Sequence, residues 1–173
     1  MIVIGVWVLL FGLPIIYVLQ KRNWGEIFFG GPVVRSIEGS VAVSTSIWRG
    51  AIKVYVFEAS PSVYQIGLTL KVALRTRVLL VLARREARSL ALVIVEALAG
   101  HSNCFTTLLG VEVRASQIAS DGSAGVSLET HEILTLPIRL GLRDQEARRL
   151  VAMIDDALSS ASGSLGGDPQ IPA

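Results

Sequence analysis

The spacing of hydrophobic and polar residues changes along the chain, and each regime predicts a different kind of element. From Met1 to Leu19 the run is apolar throughout, and the first charged side chains are Lys21 and Arg22. At the helical rise this run reaches roughly 28 Å, close to the thickness of a bilayer's hydrocarbon core. Backbone groups in hydrocarbon must be paired within their own segment, so the run is expected to be a transmembrane helix. A buried core helix is the competing reading, but core helices this long normally keep a polar face. A cleaved signal would need basic residues ahead of the run and small residues after it, and Tyr17-Val18-Leu19-Gln20 offers no such site.

Beyond Gly30-Gly31-Pro32 the pattern switches to period two. Val41, Val43, Thr45 and Ile47 share one face, Arg49-Gly50 is placed as a turn, and Ile52, Val54 and Val56 alternate against Lys53, Tyr55 and Phe57. Ser60-Pro61-Ser62 reads as the next turn. Leu68, Leu70, Val72 and Leu74 then alternate with Thr69, Lys71, Ala73 and Arg75 as one half-buried strand, and Val78 to Leu82 is a short apolar strand. From Arg84 to Ala99 the period becomes helical, and Leu92, Val93 and Val95 widen its apolar stripe until cover is needed on more than one side. Strands resume around Phe105 to Val113, and Ser120-Asp121-Gly122-Ser123 is a tight-turn signal. Leu134, Leu136, Ile138, Leu140 and Leu142 alternate without a miss, with Pro137 placing that strand at a sheet edge because it has no N–H to donate. Asp144 is suited to capping a last helix, and regular pattern is lost from Ser159.

The two helical stretches resemble each other at a separation of sixty. Glu86-Ala87-Arg88, Leu90, Ile94 and Ala97-Leu98 return as Glu146-Ala147-Arg148, Leu150, Ile154 and Ala157-Leu158, each after an apolar strand. This predicts an α+β fold in which an antiparallel, β-rich domain carries two packed helices, with a strand-hairpin-helix unit used twice. The expected organisation is a transmembrane anchor at residues 1–22, an interfacial linker at 23–32, a cytoplasmic α+β domain at 33–160 and a flexible tail at 161–173.

Charge refines the picture. The formal net charge is only +2, too small for binding nucleic acid by neutralising phosphates, yet the part up to Arg75 carries a local excess of cations and the rest an excess of carboxylates. Basic residues next to the anchor suit an anionic cytoplasmic leaflet, and Lys21 and Arg22 place the body on the cytoplasmic side with the N-terminus outside. Lys21, Arg22, Trp24, Phe28 and Phe29 are the expected membrane-interface residues, and Gly5 and Gly12, two helical turns apart, form a face where another helix could pack closely. The anchor has no His, Asp, Glu, Lys or Arg, so it offers no axial ligand and no proton relay.

Candidate chemistry is sparse. His101, Cys104 and His131 are too few for a structural zinc site, and the sole cysteine permits no internal disulfide, so Cys104 reads as a buried thiol. A hydrolase with Ser102 or Cys104 as nucleophile lacks the second glycine of a nucleophile elbow. Arg84 and Arg88, spaced Arg-x-x-x-Arg, with Asp121-Gly122-Ser123-Ala124-Gly125, resemble the cyclic-di-GMP-binding PilZ family, although the glycine comes one residue early. That resemblance implies a membrane-tethered cyclic-dinucleotide sensor. In layout, one helix followed by a cytoplasmic β-rich domain, the chain is similar to the H-type subunit of bacterial photosynthetic reaction centres, which implies an energy-transducing complex, photosynthetic or respiratory. The leading expectation is a non-catalytic, single-pass accessory subunit of a bacterial membrane complex. It would need no cofactor or metal, and its partners would be integral membrane subunits and the lipid bilayer, not nucleic acid.

Overall fold

The computed structural model describes residues 29–45, 48–73, 75–120, 123–131 and 137–163. The expected membrane span with Gly5 and Gly12, and the interface residues Lys21, Arg22, Trp24 and Phe28, lie outside them. Among the described residues no helix is long and apolar enough to cross a membrane. The architecture is α+β: the described residues form nine antiparallel strands and two helices. In chain order these are β1 (Val33–Ser36), β2 (Val41–Ser44), β3 (Arg49–Ser60), β4 (Val63–Val72), β5 (Arg75–Leu82), α1 (Arg84–Leu98), β6 (Asn103–Thr106), β7 (Glu112–Ser120), β8 (Ser123–His131), β9 (Ile138–Arg143) and α2 (Asp144–Gly163).

The strands run in the order β5-β4-β3-β2-β9-β8-β7-β6. β3 is long enough to hold two partners on one edge, β1 with Val33 opposite Phe57 and β2 with Val41 opposite Ile52. Its other edge pairs with β4 from Gly50–Val72 to Ser60–Val63. Among the described residues the two halves of the sheet pair at Ser44 opposite Gly141, where the Ser44 hydroxyl also donates to the Gly141 carbonyl at 3.2 Å.

Period-two alternation sends Ile52, Val54 and Val56 of β3 and Ile66, Leu68 and Leu70 of β4 to one face, where the helices cover them. The sixty-residue echo is visible in burial. Leu80, Leu82, Ala87, Leu90, Ile94 and Ala97 match Leu140, Leu142, Ala147, Leu150, Ile154 and Ala157, and none of the twelve exposes more than 4% of its surface. The helices also interlock the halves. α1 follows β5 but packs mainly on β6, β7 and β8, whereas α2 follows β9 and lies across β2, β3 and β4 as well as β8 and β9. The two helices pack on each other between them, so neither half has a complete core alone.

The first-turn glutamates reinforce this exchange. Glu86 accepts the Ala83 N–H at 2.6 Å and, through its other oxygen, the N–H of Leu108 in the second half. Glu146 accepts the N–H of Ala42, in β2 of the first half, at 3.2 Å. Carboxylates suit a helix's first turn because its unpaired N–H groups carry partial positive charge.

Several boundaries differ from those the sequence predicts. Arg49 and Gly50 do not form a turn: they open β3 opposite Ser44 and Val43, and the chain reverses just before them, where Thr45 receives and donates bonds to Trp48. The strand read through Arg75 breaks at Ala73, which has φ of 51°, and Arg75 starts the next strand. Pro137 is not in an edge strand. It precedes β9, which lies between β2 and β8, so its missing N–H costs the ladder nothing. α2 continues past Ser159 to Gly163 because Ala161 extends the buried stripe.

Candidate functional site

The face of β3 and β4 opposite the helices carries the most distinctive side chains among the described residues. The alternation that buries Ile52, Val54 and Val56 presents Arg49, Lys53, Tyr55 and Phe57 on the other side of β3. The register adds their neighbours: Lys71 opposite Ala51, Thr69 opposite Lys53, Gly67 opposite Tyr55 and Gln65 opposite Phe57. One end of this face is aromatic and the other basic.

At the aromatic end Phe29 lies on the sheet. Its ring stacks on Phe57 with centroids 4.8 Å apart and planes 15° apart, and tilts against Tyr55 at 5.8 Å. Gly67 makes the seat: a Cβ there would come within 2.3 Å of the ring. A side chain at position 67 and this ring position are mutually exclusive. Phe57 is fully buried although it points away from the helices.

At the basic end Arg49, Lys53 and Lys71 are all exposed, and no ion pair joins any of them to a described residue. Diagonal neighbours on one face of a sheet stand roughly 7–8 Å apart, so Lys71 lies close to both Arg49 and Lys53 and the three repel one another. On β5, Thr76 stands opposite Lys71, whereas Arg75 and Arg77, opposite Val72 and Leu70, point to the other side of the sheet. Glu58 is the only carboxylate in β3, β4 and β5, and it sits at the opposite end of β3, where it accepts the Ser62 N–H.

The corresponding face of the second half is built differently. Arg114, Glu129 and Arg139 stand in one cross-strand row. Glu129 binds Arg139 at 3.0 Å and His131 at 3.5 Å, while Arg114 binds Glu112 at 3.1 Å. Its charges are neutralised internally. A second feature of this half is the turn between β6 and β7, which exposes Leu108 by 87% and Leu109 by 74%. The turn is fixed by the Glu86 contact at Leu108, by Thr107 and Val111 bonding each other, and by the Thr107 hydroxyl, which accepts the Val111 N–H.

Of the interface residues read from the sequence, Phe29 alone falls among those described, half-buried against the sheet. Cys104 is exposed on β6 rather than buried, because it stands opposite Arg114 on a terminal strand. Ser102 donates to the Ala115 carbonyl at 3.4 Å, and His131 lies two strands from Cys104 in another row, next to Glu129. No nucleophile–base pair is assembled from Ser102, Cys104, His101 and His131. Arg84 and Arg88 occupy the first turns of α1, whereas Asp121 and Gly122 lie outside the described residues. Among the described residues no group of His, Cys, Asp and Glu could hold a metal ion. Gly67 and the basic cluster were missed in the sequence, although an isolated glycine within a strand pattern signals close approach of another group.

No family model and no curated protein matches the chain. Among solved structures, it is similar to one concerned with SsgB, mutations in which correlate to longitudinal cell division during sporulation of Streptomyces coelicolor. That likeness has 15% identity and a TM-score of 0.46 and covers 73% of this chain and 88% of the other. It is also similar to the plant transcriptional regulator PBF-2, at 15% identity and a TM-score of 0.42, over 79% of this chain and 92% of the other. Likenesses this distant do not bear on function, which is argued from the residues alone.

Proposed function

We propose that the chain is a non-catalytic, single-pass accessory subunit of a larger bacterial membrane assembly, with its α+β body on the cytoplasmic side. The observation that carries this reading is the seating of Phe29. The first described residue after the apolar start is wedged into the sheet over Gly67, on the same face as a cluster of cations with no ion-pair partner among the described residues. A wedge this soon after the anchor limits how far the body can turn away from the bilayer, which suits a subunit that must present a surface to fixed neighbours. Leu108 and Leu109 supply a candidate surface, since burying each in a partner would contribute about 1.5–3 kcal/mol. Layout favours an energy-transducing complex. The matched burial of positions sixty apart supports descent of the two halves from a duplicated unit.

The test is gentle detergent extraction followed by native electrophoresis and identification of co-migrating chains. The subunit reading expects one defined, larger species containing multi-spanning proteins. It also expects a double substitution, Leu108→Asp with Leu109→Asp, to release the chain while its circular dichroism is unchanged. Migration of the wild-type chain alone would refute the reading.

A further inference from the structure

We infer that the β3–β4 face carrying Arg49, Lys53 and Lys71 lies against the bilayer and binds the phosphates of anionic lipid headgroups. This inference rests on the reading of Met1–Leu19 as a membrane span and specifies how the body meets the membrane. Three observations lead to it.

The first is reach. Phe29 comes seven residues after Arg22, and an extended chain spans at most about 3.6 Å per residue, so Phe29 stands within roughly 25 Å of the anchor's charged end. Phe29 is fixed to the β3–β4 face, not to the helix layer, so that face is the part of the body tied nearest the lipid. The second is position. Lys53 is two residues from Tyr55, and Lys71 is four from Gly67, placing them roughly 7 and 14 Å along the strands from the Phe29 seat. The third is charge. Arg49, Lys53 and Lys71 repel one another and have no carboxylate partner among the described residues, an arrangement stabilised by an anionic surface. The second half resolves its own charges through Glu129 and Glu112, so it has no comparable demand for anions. Each cation close to an anionic leaflet strengthens attachment roughly fivefold, and the effect is screened within about 8 Å at physiological salt.

The experiment uses the full chain reconstituted into nanodiscs of phosphatidylcholine alone or of phosphatidylcholine mixed with phosphatidylglycerol. Acylation of Lys53 and Lys71 and alkylation of Cys104 are followed by mass spectrometry. Docking predicts that both lysines react about fivefold or more slowly in the anionic discs, that high salt restores their rates, and that Cys104, exposed on β6 in the other half, reacts equally in both. Substituting Arg49→Glu together with Lys71→Glu should remove the protection of Lys53. Equal lysine rates in the two lipids would overturn the inference while leaving the anchor in place. Protection by a DNA or RNA oligonucleotide in neutral discs, without protection by phosphatidylglycerol, would overturn it in favour of nucleic acid. Release of the chain from native membranes by alkaline carbonate would overturn the anchor reading and this inference together.

Discussion

Replacing Gly67 by alanine should reverse the sign of its effect according to whether Phe29 is present. A Cβ at position 67 would lie 2.3, 2.5 and 2.8 Å from three atoms of the Phe29 ring, where carbon atoms normally pack at about 3.5–4.0 Å. The ring must therefore withdraw by roughly 1 Å or leave its seat. Losing its stack on Phe57 costs about 0.5–1.5 kcal/mol. Uncovering one face of the buried Phe57, roughly 60 Å² at about 25 cal/mol per Å², adds about 1.5 kcal/mol. Against this, alanine in a strand interior is favoured over glycine by about 0.5–1 kcal/mol, and Gly67 is not among the residues with positive φ, so nothing in the backbone opposes the change. Gly67→Ala should then destabilise the wild-type chain by about 1–2 kcal/mol. In a Phe29→Ala background the collision is gone, and the same substitution should stabilise by about 0.5–1 kcal/mol. Urea unfolding of the full chain in detergent, followed by circular dichroism, measures all four corners of this cycle. A cost of the same sign and size in both backgrounds would refute the seat.

Leu90→Ala and Leu150→Ala, at matched and fully buried positions, should each cost about 3–5 kcal/mol and agree within about 1 kcal/mol, with a single urea transition because the helices interlock the halves. Glu86→Ala should cost about 1–3 kcal/mol and accelerate amide exchange at Leu108, while Glu146→Ala accelerates it at Ala42, each without disturbing the other site. The hydrogen bond from Arg148 holds the Asp144 carboxyl below its ordinary range, so this pair contributes above the unfolded carboxylate's titration near pH 4 and is lost as acid passes the folded value. Arg148→Ala should return the carboxyl's NMR titration to the ordinary range. Native Cys104 should be alkylated before any unfolding, as an exposed thiol is and a core thiol is not.

What could be read from the sequence was whatever burial imposes. The inner faces of β3, β4, β5 and β9 and the stripes of both helices follow periods of two and 3.6, and the echo between Leu90 and Leu150 survives because both must fill the same kind of gap. Turns were less legible. The break at Ala73 uses positive φ without glycine or asparagine, and the reversal before Arg49 depends on a Thr45 side chain bonding Trp48, so neither carries a compositional mark. The candidate site was harder still. Arg49, Lys53 and Lys71 become a cluster only through the β3–β4 register, which the alternating pattern does not specify beyond the parity of each strand. Cys104 failed for a similar reason, because composition favours a buried thiol while its exposure follows from β6 ending the strand order.

The two halves differ where burial leaves them free to do so. Each must match its inner face to the interlocked helices, and changes there would be felt on both sides of the molecule. The outer faces carry no such obligation. One resolves its charges in the row Arg114, Glu129 and Arg139, and the other leaves three cations together beside an aromatic seat. If these cations served no ligand, a carboxylate at position 51, opposite Lys71 and two residues along β3 from both Arg49 and Lys53, would relieve the repulsion at little cost. That position instead holds Ala51, half-buried and uncharged. An Ala51→Glu substitution therefore separates a face that merely tolerates its charge from one that uses it. Under the docked arrangement, the substitution weakens attachment to anionic bilayers by more than the single charge added, because it pairs Lys53 and Lys71 with an internal partner and withdraws both from the lipid.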